Sequence, residues 1–187
     1  MLTSRRLLLR PWRDEDLPAF AALNADAEVM KYMPKCLSRE ESDAFAARIR
    51  EGLARHGFGL WAVEVLGVSE FIGFTGLSVP SFEARFTPCV EIGWRLAREF
   101  WGFGYATEAA RLALDYGFQS AGLEEIVSFT FVENLRSRRV MERLGMTYSS
   151  KDEFEHPRLT EGHRMRPHVL YRMDRAAWEK GRVRGER

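Results

Sequence analysis

The stretch CVEIGWRLAREFWGFGYATEAA, Cys89 to Ala110, constrains this chain more than any other. A strand-like run, Val90 to Leu96, leads through a short loop to Gly102-Phe103-Gly104, and a long helical pattern starts directly afterwards. Gly-x-Gly at a strand-to-helix junction removes the Cβ atoms that would hinder an anion. Backbone N–H groups and the positive end of the helix dipole converge there. The junction therefore suits a phosphate or pyrophosphate, although the same pattern also serves as a plain turn. Two common phosphate motifs do not fit. A P-loop requires Gly-Lys-Ser/Thr, yet Gly104 is followed by Tyr105-Ala106; a dinucleotide fingerprint requires a third glycine where Thr107 stands.

The downstream half narrows the choice. Glu125 to Val132 is a β-rich run, and the helix that follows is bounded by Asn134 as N-cap and Gly145 as C′ residue. Helical spacing places Ser137, Val140, Met141 and Leu144 on one face, with Arg136, Arg139 and Arg143 mostly elsewhere. WGFGYATEAA followed by NLRSRRVMERLGM resembles the acetyl-CoA signature of the GNAT N-acetyltransferases. The nearest branch acetylates ribosomal-protein N-termini. RLLLRPWRDEDL, Arg6 to Leu17, and VMKYM, Val29 to Met33, resemble it too. The similarity runs from about Arg6 to Asp174, and one departure is Met146, where phenylalanine is usual.

The resemblance implies an α/β (α+β) fold: one domain over residues 1–187, its core about 5–174, with a mostly antiparallel sheet flanked by helices. It implies acetyl-CoA as cofactor and a primary amine as acceptor, either a protein N-terminus or a small amine. Gly102, Gly104 and the N–H groups of Phe103, Tyr105, Ala106 and Thr107 would hold the pyrophosphate. Trp101 would pack beside them. The strand backbone at Trp94, Arg95 and Leu96 would pair with the pantetheine arm, and Asn134 would touch that arm while capping its helix. Ser137 would protonate the leaving thiolate, or else bond backbone as a first-turn serine. Glu91 would act as general base, or else pair with a surface arginine. Arg138 and Arg139 are either phosphate contacts or solvated charge; His168 and Tyr171 either line an acceptor groove or bond structurally. The acceptor site would be shaped by Asn24 to Leu37 and Glu153 to Pro167. A non-catalytic acyl-CoA-binding domain of the same fold is the alternative reading.

Composition agrees with this picture. A chain of 187 residues suits one domain, and a net charge of +1 gives no global field to recruit nucleic acid or an anionic membrane. Cys36 and Cys89 form no C-x-x-C pair, so reduced thiols in a cytoplasm are expected rather than a disulfide or metal site. Three consecutive leucines, Leu7 to Leu9, are too few for a signal sequence, and no run approaches a membrane span. A cytoplasmic monomer or homodimer without a metal is the expectation. Strands are expected at Arg5–Arg10, Leu60–Leu66, Phe71–Val79, Val90–Leu96 and Arg166–Met173. Helices are expected at Asp14–Leu23, from a capping box at Ser38-Arg39-Glu40-Glu41 to about His56, and up to about Ser120, the last with Ala109, Leu112, Ala113 and Tyr116 on one face. A short helix from Asp174 would close the chain.

Overall fold

A computed structural model describes residues 1–185, with side chains as far as Arg182. The elements in chain order are β1 (Leu2–Thr3), β2 (Leu7–Arg10), α1 (Asp16–Ala25), α2 (Arg39–His56), β3 (Leu60–Val65), β4 (Ser69–Ser78), β5 (Glu91–Leu96), α3 (Tyr105–Gln119), β6 (Glu125–Phe131), α4 (Leu135–Leu144), β7 (Thr147–Tyr148), β8 (Phe154–Glu155), β9 (Pro167–Asp174) and α5 (Arg175–Gly185). The strands form one sheet in the order β1-β2-β3-β4-β5-β6-β9-β7, with β8 added beside β9. The expected α/β domain with a mostly antiparallel sheet is present.

One pairing differs from the rest. β5 and β6 run parallel, as the crossover through α3 permits, and only Glu91 and Val127 stand in register. The junction is completed by the Val127 N–H donating to Val90 O at 2.9 Å and the Ser128 hydroxyl donating to Ile92 O at 2.9 Å. Beyond Ile92 the two strands separate, while β5 keeps its other edge on β4 as far as Leu96 opposite Gly73. Gly73 is required there. Its φ is +136°, and a Cβ would fall 2.1 Å from the carbonyl oxygen of Arg95.

Each face of the sheet buries its own core. On one side Ala109, Ala110, Ala113 and Phe118 of α3 pack against Leu7, Leu9, Val63, Ile92 and Ile126. On the other, Trp12, Phe20, Leu23, Ala46, Ile49 and Phe74 join α1 and α2 to the sheet. β5 divides its residues between these faces, as its alternation requires: Ile92, Trp94 and Leu96 lie toward α3, and Arg95 lies over the rings of Phe45 and Phe74.

The local signals at helix ends hold. Ser38 and Glu41 form the reciprocal capping box, Asn134 accepts from the Ser137 N–H, and Gly145 closes α4 with φ +85°. Three expectations change. Helix α1 starts at Asp16 and not Asp14, with an acidic first turn whose carboxylate also takes the guanidinium of Arg10 at 2.7 and 2.8 Å. The face that α3 buries is rotated: Ala110, Leu114, Gly117 and Phe118 are covered, whereas Leu112 and Tyr116 stay partly exposed. The two-residue strands β1, β7 and β8 join the sheet at positions where no strand is expected. No helix among the described residues is long and apolar enough to cross a membrane.

Candidate active site

A cleft of about 330 Å³ is walled by the free end of β5 and the helices that follow. Its floor carries Trp94, Arg95 and Leu96, and its rim carries Gly102, Gly104 and the first turn of α3 from Tyr105 to Thr107. Asn134 and Ser137 face it from the start of α4, while Glu28, Val29, Tyr32 and Met33 close it from the segment after α1. Most of the predicted cofactor residues are thus brought to one place.

The loop geometry is what an anion site demands. Gly102 and Gly104 hold φ of +87° and +82°; a Cβ at Gly102 would meet nothing within 4 Å, and one at Gly104 would meet only the Arg6 guanidinium at 3.8 Å. Backbone conformation, not crowding, therefore calls for glycine at both. No side chain caps the N-terminus of α3, so its first N–H groups remain available to a ligand. Glu108, in that first turn, receives the Ser4 hydroxyl at 2.7 Å and the Arg6 Nε at 2.9 Å, and Arg6 lies 4.8 Å over the Tyr105 ring. These contacts fix the loop from behind.

Helix α4 faces the cleft differently from the sequence expectation. Arg136, Arg139 and Arg143, spaced i, i+3, i+7, all line it together with Ser137 and Val140, while Met141 is the residue buried against the sheet. Arg139 and Arg143 have no carboxylate within ion-pair distance among the described residues. Arg136 sits 4.3 Å over the Trp101 ring and pairs with Glu28 at 3.6 Å, joining α4 to the segment after α1. Arg138 lies outside the cleft, donating to Val132 O at 3.0 Å and to the Tyr171 hydroxyl at 3.4 Å. Counting formal charges, the lining holds four arginines (Arg95, Arg136, Arg139, Arg143) and one carboxylate, Glu28. The cleft is strongly cationic in a chain whose net charge is +1.

The remaining predicted residues divide. Trp101 lines the cleft with its Nε1–H donating to Leu96 O at 2.8 Å, so the indole is pinned as a wall. Phe103 lies outside the lining; its ring is 59% exposed and stacks on Tyr105 at 5.7 Å. Asn134 is buried, and its amide donates to Thr130 Oγ1 at 2.9 Å and Ser137 Oγ at 3.1 Å. Since Ser137 Oγ accepts from Asn134, its own proton is left without an acceptor among the described residues.

Glu91 is not part of the lining. It stands at the start of β5 opposite Ser78, on the same face as Arg95 and about 13 Å from it along the strand. Dense surrounding protein pushes its carboxyl up to about 8, a rise that hydrogen bonding by Ser78 opposes. No arginine pairs with it among the described residues. His168 and Tyr171 also lie off the cleft and point to opposite faces of β9. Tyr171 is buried, and its hydroxyl donates to Glu142 at 3.0 Å. His168 joins Phe129, Phe154 and His156, the two imidazole rings 4.9 Å apart; burial and the neighbouring His168 pull His156 down to about 4. This cluster seats the segment Glu153 to Pro167, none of which reaches the cleft.

Comparison with known proteins gives the same family from three directions. Residues 6–147 match the model of the acetyltransferase (GNAT) domain. The uncharacterized protein YkkB of Bacillus subtilis is 33% identical over 149 residues, covering 79% of this chain and 86% of that protein. The FsC-acetyl coenzyme A-N(2)-transacetylase of Aspergillus fumigatus is 32% identical, covering 95% of this chain and 77% of that one. A crystal structure of a GNAT-family acetyltransferase from Bacillus anthracis superposes with a TM-score of 0.77 at 26% identity, covering 94% and 98% of the two chains. A sheet opened between parallel strands, a glycine loop at the opening and these relatives converge: the chain belongs to the GNAT family of N-acetyltransferases.

Proposed function

We propose that this enzyme transfers the acetyl group of acetyl-CoA directly to a primary amine within a ternary complex. Bound in the cleft, acetyl-CoA supplies an activated thioester. The residues present fit it: the capless α3 N-terminus with Gly102 and Gly104 would take the pyrophosphate, Arg139 and Arg143 would add cationic contacts, and the free edge of β5 at Trp94 to Leu96 offers backbone partners to an amide-bearing arm. The observation that carries the proposal is the Ser137 hydroxyl on the cleft wall, its lone pair engaged by Asn134 and its proton uncommitted. Ser137 would give that proton to the departing thiolate as the amine nitrogen bonds to the acetyl carbon.

The amine must lose a proton in the same event. An α-amine has a pKa of roughly 8, so a carboxyl near the same value exchanges protons with it at little cost. Glu91 meets the energetic condition but stands back from the cleft, so its proton transfer would run through water. No covalent enzyme intermediate is invoked; burial pushes the nearby Cys89 thiol up to about 11, too high for a thiolate nucleophile at neutral pH. Peptide N-termini, the acceptors of the branch that the WGFGYATEAA and Arg6–Leu17 segments resemble, and small amines both fall within the proposal.

A turnover screen with acetyl-CoA across peptide N-termini, amino acids, polyamines and aminoglycosides tests it, paired with Ser137→Ala. The variant should keep coenzyme A affinity by calorimetry close to wild type and lose about 100- to 10,000-fold in kcat, the usual worth of a placed proton donor. Coenzyme A binding with no turnover on any amine would instead make this an acyl-CoA-binding domain of the same fold.

A further inference from the structure

Arg95 is a cation of an unusual kind in this molecule. Its side chain leaves the cleft floor on the face away from α3, with its guanidinium 5.4 Å from the Phe74 ring centroid and 5.8 Å from that of Phe45. Its Nη1 donates to Asn24 Oδ1 at 2.6 Å, and its Nη2 to the Met33 sulfur at 3.2 Å. Asn24 cannot turn away, because it is fully buried and its own amide nitrogen donates to Ser42 Oγ at 2.9 Å. The guanidinium is therefore fixed in position by neutral groups alone. No carboxylate lies within ion-pair distance of it among the described residues. Burial pulls its pKa down to about 10, a sign of an uncompensated charge.

A rigid, planar, partly desolvated cation at a cleft is suited to a planar anion that completes its fork of donors. The cofactor's phosphates are an unsuitable source. The glycine loop and the α4 arginines sit with α3 and α4, whereas Arg95 lies on the α1–α2 face beside Met33. An anion at Arg95 must arrive with the other substrate. We propose, building on the acetyl-transfer reading, that the acceptor is an amine carrying a carboxylate, which Arg95 binds while Asn24 and Met33 hold the guanidinium in place. The charge that remains points the same way: with Arg136 paired to Glu28 and with Arg139 and Arg143 given to the cofactor's phosphates, Arg95 is the lining charge left to the acceptor, and it favours an anion over a polyamine.

The test uses matched acceptors that differ only in charge: glycine, β-alanine, γ-aminobutyrate and glutamate, each beside its carboxamide. Wild-type kcat/KM should favour the acid over its amide by tenfold or more for at least one pair. Arg95→Gln should bring that ratio close to one. Asn24→Asp, nearly isosteric and able to accept from the Ser42 hydroxyl where Asn24 donates to it, should do the same by neutralising Arg95 from behind, which keeps the test decisive if Arg95→Gln folds poorly. Equal rates on acids and amides, or a preference that survives both variants, would overturn the carboxylate anchor and leave acetyl transfer standing. If no amine is acetylated, the acetyl-transfer reading fails. The anchor is then judged by calorimetry: N-acetyl-β-alanine should bind the coenzyme A complex of the wild type and not that of the variants, and equal or absent binding in all of them would overturn it.

Discussion

Two arginines on this sheet have opposite electrostatic surroundings. Arg10, 1% exposed at the end of β2, is neutralised from two sides, with Asp16 holding it bidentately at 2.7 and 2.8 Å and Glu64 at 3.0 Å. Its Nη2 also donates to Glu70 O at 2.6 Å, and its pKa is raised, chiefly by Asp16. Arg95, on the cleft floor, has an amide oxygen, a sulfur and two aromatic rings, and its pKa is lowered by burial. The first charge is consumed by the fold: it ties β2, α1 and β3 together. The second is left unneutralised where a ligand can reach it. A buried cation whose carboxylates are already present serves the fold, whereas a half-buried one without them, on the wall of a cleft, is suited to bind an anion.

The same substitution at both sites should separate the two roles. Arg10→Met strands Asp16 and Glu64 without their cation, and removing one member of such a buried network costs about 3–5 kcal/mol. Urea unfolding should show that loss as a fall in midpoint at constant slope. A cost below about 1 kcal/mol would mean the Arg10 network is no more than break-even and would erase the contrast.

Glu91 sharpens the comparison from the acidic side, since it too is a half-buried ionisable group without an opposite charge beside it among the described residues. Its folded value of about 8 lies above the ordinary 4.5. A group raised in this way contributes stability that is fully present below pH 4.5 and lost as pH rises toward 8. Glu91→Gln cannot ionise, so its stability should gain steadily on the wild type between those two pH values and run parallel outside them. If Glu91 is also the base, wild-type kcat/KM should climb through pH of about 8 more steeply than that of the variant, whose profile should follow the amine's own ionisation alone. Parallel stability curves across the whole range would show that the carboxyl is solvated, and parallel rate profiles would remove it from the mechanism.

Much of the fold was legible because its signals are local. A capping box, an asparagine cap, a C′ glycine and a Gly-x-Gly junction each act over a few residues, and all four hold in the structure. What was not legible depends on distant partners or on patterns too short to repeat. Two-residue strands such as β1 and β8 have no period to detect. On α3, hydrophobicity favoured Leu112 and Tyr116, but the sheet approaches so closely that Ala110 and Gly117 take the buried face; a Cβ on Gly117 would lie 2.7 Å from Ile126. The arginine stripe on α4 was visible as i, i+3, i+7 spacing, yet an amphipathic reading turns charged residues to solvent, and here the cleft itself is the polar side. At Arg95 the sequence offered only a strand backbone beside the expected cofactor arm. The side chain's environment is made by Asn24 and Met33, 71 and 62 residues away in sequence, and no local pattern announces such contacts.

The most direct measurement is the equilibrium stability of Arg95→Met without any ligand. Methionine fills a similar space beside Phe45 and Phe74 and removes a charge that no carboxylate balances, so the loss of the Asn24 contact and the relief of burying the cation should nearly cancel. The account predicts a variant within about 1 kcal/mol of wild type, or more stable than it, by urea unfolding at neutral pH. A loss of about 3–5 kcal/mol, matching that expected of Arg10→Met, would contradict it and make Arg95 a second structural fastener.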